Sequence, residues 1–308
     1  MRRFAATAAL ALFACAILAT ASDASAFCRS TTCRTSPTKE CATDENSCPT
    51  DGARLFWPTS CVSYAMNAQG TQDLDPVDTR DVIRKTFQAW TEVPCPKGGN
   101  ASMTFEERDP VSCKRSEYNK EAPNLNVVLF QDDDWKYRGI DGTLAKTSVT
   151  YNDETGEIYD ADIEVNAANN SVTITDNAAK VDYDLQAILT HEVGHFIGIA
   201  HSAESSAVMF ASYSPGSTSQ RKLSADDVDA VCTFYPPNSG VACNSTPRGG
   251  FSASCDPAEK GGLCAVSAVG SAEERRGPIG TTASLGLMGL GVLAAALSRR
   301  ANRLRRTK

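Results

Sequence analysis

The chain has 308 residues, ample for one hydrophobic core, and shows no internal repeat of helical or propeller period. Its formal net charge is −7; residues 1–26 contribute +1 and residues 299–308 contribute +6, so residues 27–298 carry −14. A body of that sign repels phosphate backbones, which excludes nucleic acid as a partner. At the N-terminus, Met1-Arg-Arg3, an Ala/Leu/Phe-rich run and Ala24-Ser-Ala26 read as a secretory signal peptide spanning 1–26 and cut before Phe27. Leu12-Phe-Ala-Cys15 offers a lipoprotein cleavage box as the alternative. Phe13 fits that box poorly and the apolar run continues past Cys15, which favours cleavage at Ala26.

Export suits the cysteines. Setting Cys15 aside with the signal leaves eleven: Cys28, Cys33, Cys41, Cys48, Cys61, Cys95, Cys113, Cys232, Cys243, Cys255 and Cys264. None are paired as Cys-x-x-Cys metal knuckles, so a disulfide framework in an oxidising compartment is expected, with its pairing open. Cys264 is the expected odd one out. Residues 27–51 form a short cysteine-rich lead, and one domain then spans 52–237. Within it, Val82, Ile83, Phe87 and Trp90 recur at helical spacing. Residues 103–106 and 125–130 read as strands; 146–151 and 157–165 read as two more, joined by the hairpin-length loop Asn152-Asp-Glu-Thr-Gly156. The last of these alternates apolar and polar residues, which predicts a half-buried strand.

All three histidines fall in His191-Glu-Val-Gly-His195-Phe-Ile-Gly-Ile-Ala-His201. A helix capped by Asp182 or Asp184 would run through Leu185, Ile188, Leu189 and Phe196 as a buried stripe, and would bring His191 and His195 onto one face. Gly198 can take the left-handed turn that ends the helix and returns the chain to deliver His201. Three protein ligands with one open position are the arrangement of a catalytic zinc, and Glu192 sits beside them as candidate general base. Two surface histidines flanking a solvated glutamate are the bland reading of His-Glu-x-x-His alone; Gly198 and His201 at these offsets argue against it. Further on, Ser224-Ala-Asp-Asp227 is a capping-box variant that opens a helix through Val228, Val231 and Phe234, stopped by Pro236-Pro237.

These residues resemble the metzincin metallopeptidases, whose signature is His-Glu-x-x-His-x-x-Gly-x-x-His followed by a methionine turn. Met209 in Ala207-Val208-Met209-Phe210 is the candidate for that turn, implied to lie beneath the metal as a floor. Ser202 directly after His201 is similar to the matrixin branch, although Ala211 stands where a proline is usual. A tyrosine placed there in other branches is absent, and Tyr213 is given no zinc or catalytic role. The resemblance covers about 180 residues. It implies an α+β fold: a twisted, mostly parallel sheet with an antiparallel edge strand over the zinc helix, and a small C-terminal subdomain with a final helix. It also implies that the strand at the place of the alternating run forms the sheet edge beside the cleft, where an extended peptide could add as a further strand.

The activity implied is a zinc endopeptidase acting on protein or peptide substrates. The alternative is a zinc-organised surface-binding or adhesion module without proteolysis, against which an intact Glu192 counts. Calcium is a further candidate ion, because Asp132-Asp-Asp134, Asp141, Asp153, Glu154, Asp160 and Asp162 supply oxygen ligands, though without EF-hand spacing. No cysteine switch of the Pro-Arg-Cys-Gly type appears. Residues 238–278 read as a Cys-containing Gly/Ser/Pro-rich linker. In 279–308, a nineteen-residue uncharged stretch precedes Arg299, Arg300, Arg303, Arg305, Arg306 and Lys308. That tail resembles the MYXO-CTERM type of bacterial sorting signal, with Cys264 as processing site; a plain C-terminal membrane anchor is the alternative. Either way the expected location is the cell surface or the medium, with membrane contact through the tail before any processing. Oligomeric state is left open.

Overall fold

The computed structural model describes residues 26–253 and 255, apart from positions 37, 92 and 138–142. Five strands form the main sheet: β2 (Cys61–Met66), β3 (Thr104–Glu107), β4 (Val127–Phe130), β5 (Ala145–Tyr151) and β6 (Ile158–Val165), in the order β3-β2-β4-β6-β5. All neighbours run parallel except β5, which lies antiparallel to β6. Helices α1 (Pro76–Thr91) and α2 (Leu185–Phe196) pack against one another, α1 also touching β3 and α2 touching β5 and β6. The expected α+β fold is present, including the antiparallel edge and the final helix α3 (Ala225–Phe234).

The core lies between the helices and one face of the sheet. Val82, Ile83, Phe87 and Trp90 of α1 meet Leu185, Ile188, Leu189 and Phe196 of α2 over Tyr64, Met66, Ala161, Ile163 and Val165. The opposite face is covered too, by a second cluster of Ala65, Val111, Cys113, Leu125, Val127 and Leu129. This double covering explains two departures from expectation. Strand β2, second in the sheet, had no alternating signal because five of its six residues are buried, as parallel strands clothed on both faces are. For the same reason β6 is not half-buried: Asp160, Asp162 and Glu164 point to the outer face yet stay under 3% exposed. The sheet edge is also one strand earlier than expected, at β5 rather than β6, because the chain reaches the edge first and the 152–156 hairpin turns it back inward, placing β6 between β5 and β4. Gly156 supports that turn at φ +79°, where a Cβ would stand 2.1 Å from the Arg54 carbonyl.

Disulfides pair ten of the cysteines: Cys28–Cys48, Cys33–Cys41, Cys61–Cys243, Cys95–Cys232 and Cys113–Cys255. Cys264 and the stretch through residue 25 expected to be a signal peptide lie outside the described residues, as do the expected sorting tail and Asp141. Among the described residues no helix is long and apolar enough to cross a membrane. The cysteine-rich lead packs on the body: β1 (Cys28–Arg29) pairs antiparallel with β7 (Ile199–Ala200), two residues upstream of Ser202. Residues 238–253, the start of the expected linker, lie against the domain through the Cys61–Cys243 bridge and the Asn124 amide bond to the Gly250 carbonyl at 2.9 Å.

Candidate metal centre

Helix α2 opens on Asp184, whose carboxylate accepts from the Ala187 amide at 2.8 Å, so Asp184 rather than Asp182 is the cap. Arg221 locks that cap with bonds to both Asp184 oxygens at 2.9 and 2.5 Å. At the other end, buried aromatic donors satisfy the carbonyls that a helix leaves unpaired. The Trp57 indole N–H donates to Phe196 O and the Tyr235 hydroxyl to Ile197 O, both at 2.8 Å. Gly198 turns the chain at φ +83°, and a Cβ there would sit 3.0 Å from the Leu55 carbonyl. The turn feeds β7 and brings His201 back over the helix.

His191, His195 and His201 each present a ligand atom within 4.8 Å of the others, the one such group of three or more metal-binding side chains among the described residues. Their tautomers follow from their partners. His191 Nδ1 lies 2.7 Å from the Val208 carbonyl, and His195 Nδ1 lies 2.9 Å from the Ile199 carbonyl. A carbonyl only accepts, so both Nδ1 atoms carry the proton and both Nε2 atoms turn a lone pair inward. His195 Nε2 and His201 Nε2 are 3.2 Å apart. In a tetrahedral zinc site with Zn–N bonds of about 2.0–2.1 Å, ligand nitrogens stand roughly 3.3 Å from one another. The donor set therefore fits zinc. Burial, with the neighbouring imidazoles, holds His195 well below the ordinary histidine range and His201 down to about 4, so both are neutral at neutral pH.

Beneath the histidines lies Met209, 1% exposed. A Cβ on Gly194 would fall 2.1 Å from Met209 Sδ and 3.1 Å from the Trp90 ring, so this mid-helix glycine makes the methionine's seat. The turn around Met209 is suspended from α3. Asp227, the N3 residue of the Ser224 capping box, accepts from Val208 N at 2.8 Å and Met209 N at 3.1 Å. A continuous path thus runs from the start of α3, through the Asp227 carboxylate and the Val208 carbonyl, to the His191 ring. Ser202 is fixed as well, its hydroxyl donating to Asp226 Oδ2 at 2.7 Å. These second-sphere anchors were not legible from the sequence, although the capping box and the glycine inside a helix were both visible there.

Glu192 faces the same cleft. The Thr147 hydroxyl of β5 is 2.6 Å from Glu192 Oε2 and 3.1 Å from the Glu192 carbonyl, tying the carboxylate to the edge strand. Burial pushes the Glu192 carboxyl up, against the opposing pull of His191 and of the Thr147 hydroxyl. The cleft encloses about 950 Å3 and is walled by Ala145 and Lys146 on one side and by Ala187, Ile188, Phe210 and Tyr213 on the other. Tyr213 is occupied elsewhere: its hydroxyl accepts from Asp184 N at 2.9 Å and donates to the Ser217 carbonyl at 2.6 Å. Of the acidic residues considered for calcium, Asp132 binds Thr71 and Gln72, and Asp153 pairs with Arg34 at 3.4 Å.

A histidine triad of this tautomeric design, built on a glycine-turned helix and a methionine floor, defines a single-metal hydrolase of the metzincin kind. The family model of the matrixins, peptidase family M10, matches residues 56–236, more than half of the chain. The chain belongs to the matrixin family of zinc-dependent metalloendopeptidases. Metalloendoproteinase 1-MMP of Arabidopsis thaliana is 27% identical over 192 residues, which cover 61% of this chain and 47% of that protein. Matrix metalloproteinase-C of Caenorhabditis elegans is 26% identical over 213 residues, 67% and 33% of the two chains. Interstitial collagenase of Bos taurus is 28% identical over 182 residues, 59% and 33%. The match thus spans about half or less of the length of these relatives.

Proposed function

We propose that this protein is an exported zinc endopeptidase in which His191, His195 and His201 hold the metal and Glu192 is the general base. The observation that carries this reading is the pair of Nδ1–H bonds to backbone carbonyls, which leaves the inward nitrogens as lone pairs with no proton to share. When bound there, zinc acidifies a water and polarises the scissile carbonyl. Glu192 takes the proton of the attacking water and passes it to the leaving amine. Thr147 holds one carboxylate oxygen and so fixes the direction from which the proton is taken. The free side of β5 receives the substrate backbone as an added strand, and the apolar wall of Ala187, Ile188 and Phe210 takes a side chain beside His191. Five disulfides suit an oxidising compartment, in agreement with the signal peptide read from residues 1–26.

The test is cleavage of a quenched-fluorescent peptide library by the full chain made in an oxidising compartment, beside Glu192→Ala and a chelated sample. Zinc-dependent cleavage that falls by about 100-fold or more in a Glu192→Ala protein still holding zinc is the expected result. A folded, zinc-loaded and inert wild type would overturn the reading in favour of a binding or adhesion module.

A further inference from the structure

The edge strand carries an unusual charge for so acidic a protein. Thr147 of β5 faces α2 and binds Glu192, so by the alternation of a strand its neighbours Lys146 and Ser148 face the opposite side. There Lys146 Nζ donates to Ser148 Oγ at 2.9 Å and stands 3.9 Å from the centre of the Tyr137 ring. Lys136 Nζ lies 5.2 Å from the same ring. One carboxylate serves this group: the fully buried Glu164, which accepts from Lys136 at 2.9 Å, from Gln131 at 2.7 Å and from the Tyr137 hydroxyl. Glu164 thus already serves three donors, and Lys146, opposite it in the β5–β6 ladder, makes no ion pair with it within 4 Å or with any other carboxylate among the described residues. Burial pulls the Lys146 ammonium below the ordinary lysine range; Glu164 opposes that pull and Lys136 adds to it. Both lysines and Tyr137 line the cleft.

A peptide added to β5 presents successive side chains to opposite faces. If one enters the apolar pocket beside His191, the residue next to it points to the Lys146 side, within reach of a cross-strand pair. We propose that Lys146, backed by Lys136 around the Tyr137 ring, selects peptide substrates with an aspartate or glutamate adjoining the residue that fills the apolar pocket. The inference rests on β5 being the strand that takes substrate. The carboxylate concerned is a side chain, not a chain terminus, because the peptide continues past it along the strand.

The test uses peptides blocked at both ends and differing only by Glu or Gln at the positions flanking the pocket residue. Wild-type zinc-loaded protein is expected to favour the Glu peptide by about two- to fivefold in kcat/KM, the range of a cross-strand ion pair. Lys146→Met should bring the ratio to one while still cleaving the Gln peptide, and Lys146→Glu should invert it towards a Lys-containing peptide. Binding of the same peptides to the Glu192→Ala protein, read by fluorescence anisotropy, separates this inference from the peptidase reading. Glu-selective binding without any cleavage sinks the peptidase and leaves the selectivity standing. Equal handling of Glu and Gln by the wild type, a preference untouched in Lys146→Met/Lys136→Met, or no binding at all overturns the inference.

Discussion

Two polar clusters flank the same sheet and treat their charges in opposite ways. At the metal centre, the outer nitrogens of His191 and His195 are held by carbonyls, and the carbonyl on His191 belongs to a turn hung from Asp227. On the outer face of β6, Asp162 accepts from Val127 N at 2.9 Å and Glu117 N at 3.0 Å, while Asp160 Oδ1, two residues away, is buried without a partner. In the first cluster the outer bonds of His191 and His195 are made, and their inner nitrogens are left for a cation. The second is left incomplete inside the protein, with burial and the neighbouring carboxylate pushing Asp160 well up and burial above all pushing Asp162 to about 7. Preorganisation here consists of the outer partners, and breaking them one at a time should grade the two clusters.

The largest effect is expected at Asp227. Its buried carboxylate serves Val208 N, Met209 N and both the amide and the hydroxyl of Ser224. Asp227→Ala orphans two buried amides and removes the N3 half of the Ser224 capping box, a loss of about 3–5 kcal/mol in chemical denaturation. Because the turn also orients His191, zinc affinity should drop by about 10- to 100-fold in competition with a chelating dye. Reduced stability with unchanged zinc affinity would mean that the α3-to-His191 path does not act on the metal.

A smaller effect is expected at Gly194. An alanine there would ordinarily favour the helix by about 1 kcal/mol. Its Cβ would instead meet Met209 Sδ at 2.1 Å in a spot closed on the other side by Trp90. The net result is a destabilisation of about 2 kcal/mol, read as a lower melting temperature. A melting temperature raised by Gly194→Ala would show that Met209 has room to move and is no rigid floor.

The grouping of the three histidines was legible in the sequence because its information is local: helical spacing places His191 beside His195, and one glycine decides where His201 returns. What supports it was not legible, since Asp227 reaches a turn 18 residues earlier in the chain and Thr147 reaches Glu192 across 45. Strand β2 escaped notice because Cys61-Val-Ser-Tyr-Ala-Met66 is buried on both faces and carries no period. The outer face of β6 misled for a related reason. Asp160, Asp162 and Glu164 read as solvent-facing until the segments around Glu117 and Tyr137 are known to cover them.

The smallest effect, and the one that tells most about the outer cluster, is expected from Asp160→Asn. An unfolded aspartate titrates near 4, whereas the folded pair holds its protons to higher pH, Asp162 to about 7. Between those values the native state binds more protons than the unfolded one, so the pair's contribution is complete below about pH 4 and is lost as pH rises towards 7. At higher pH the burial and mutual repulsion that raise both carboxyls oppose folding. Asn keeps the shape and removes one charge, so at pH 8 the variant should be more stable by about 1 kcal/mol, with the gain fading towards pH 4. Paired melting curves at the two pH values measure it. A variant less stable than the wild type at pH 8 would mean that a cation compensates these carboxylates in solution. Calcium that raises the melting temperature of the wild type but not of Asp160→Asn would then identify the ion and make the outer cluster a second metal site.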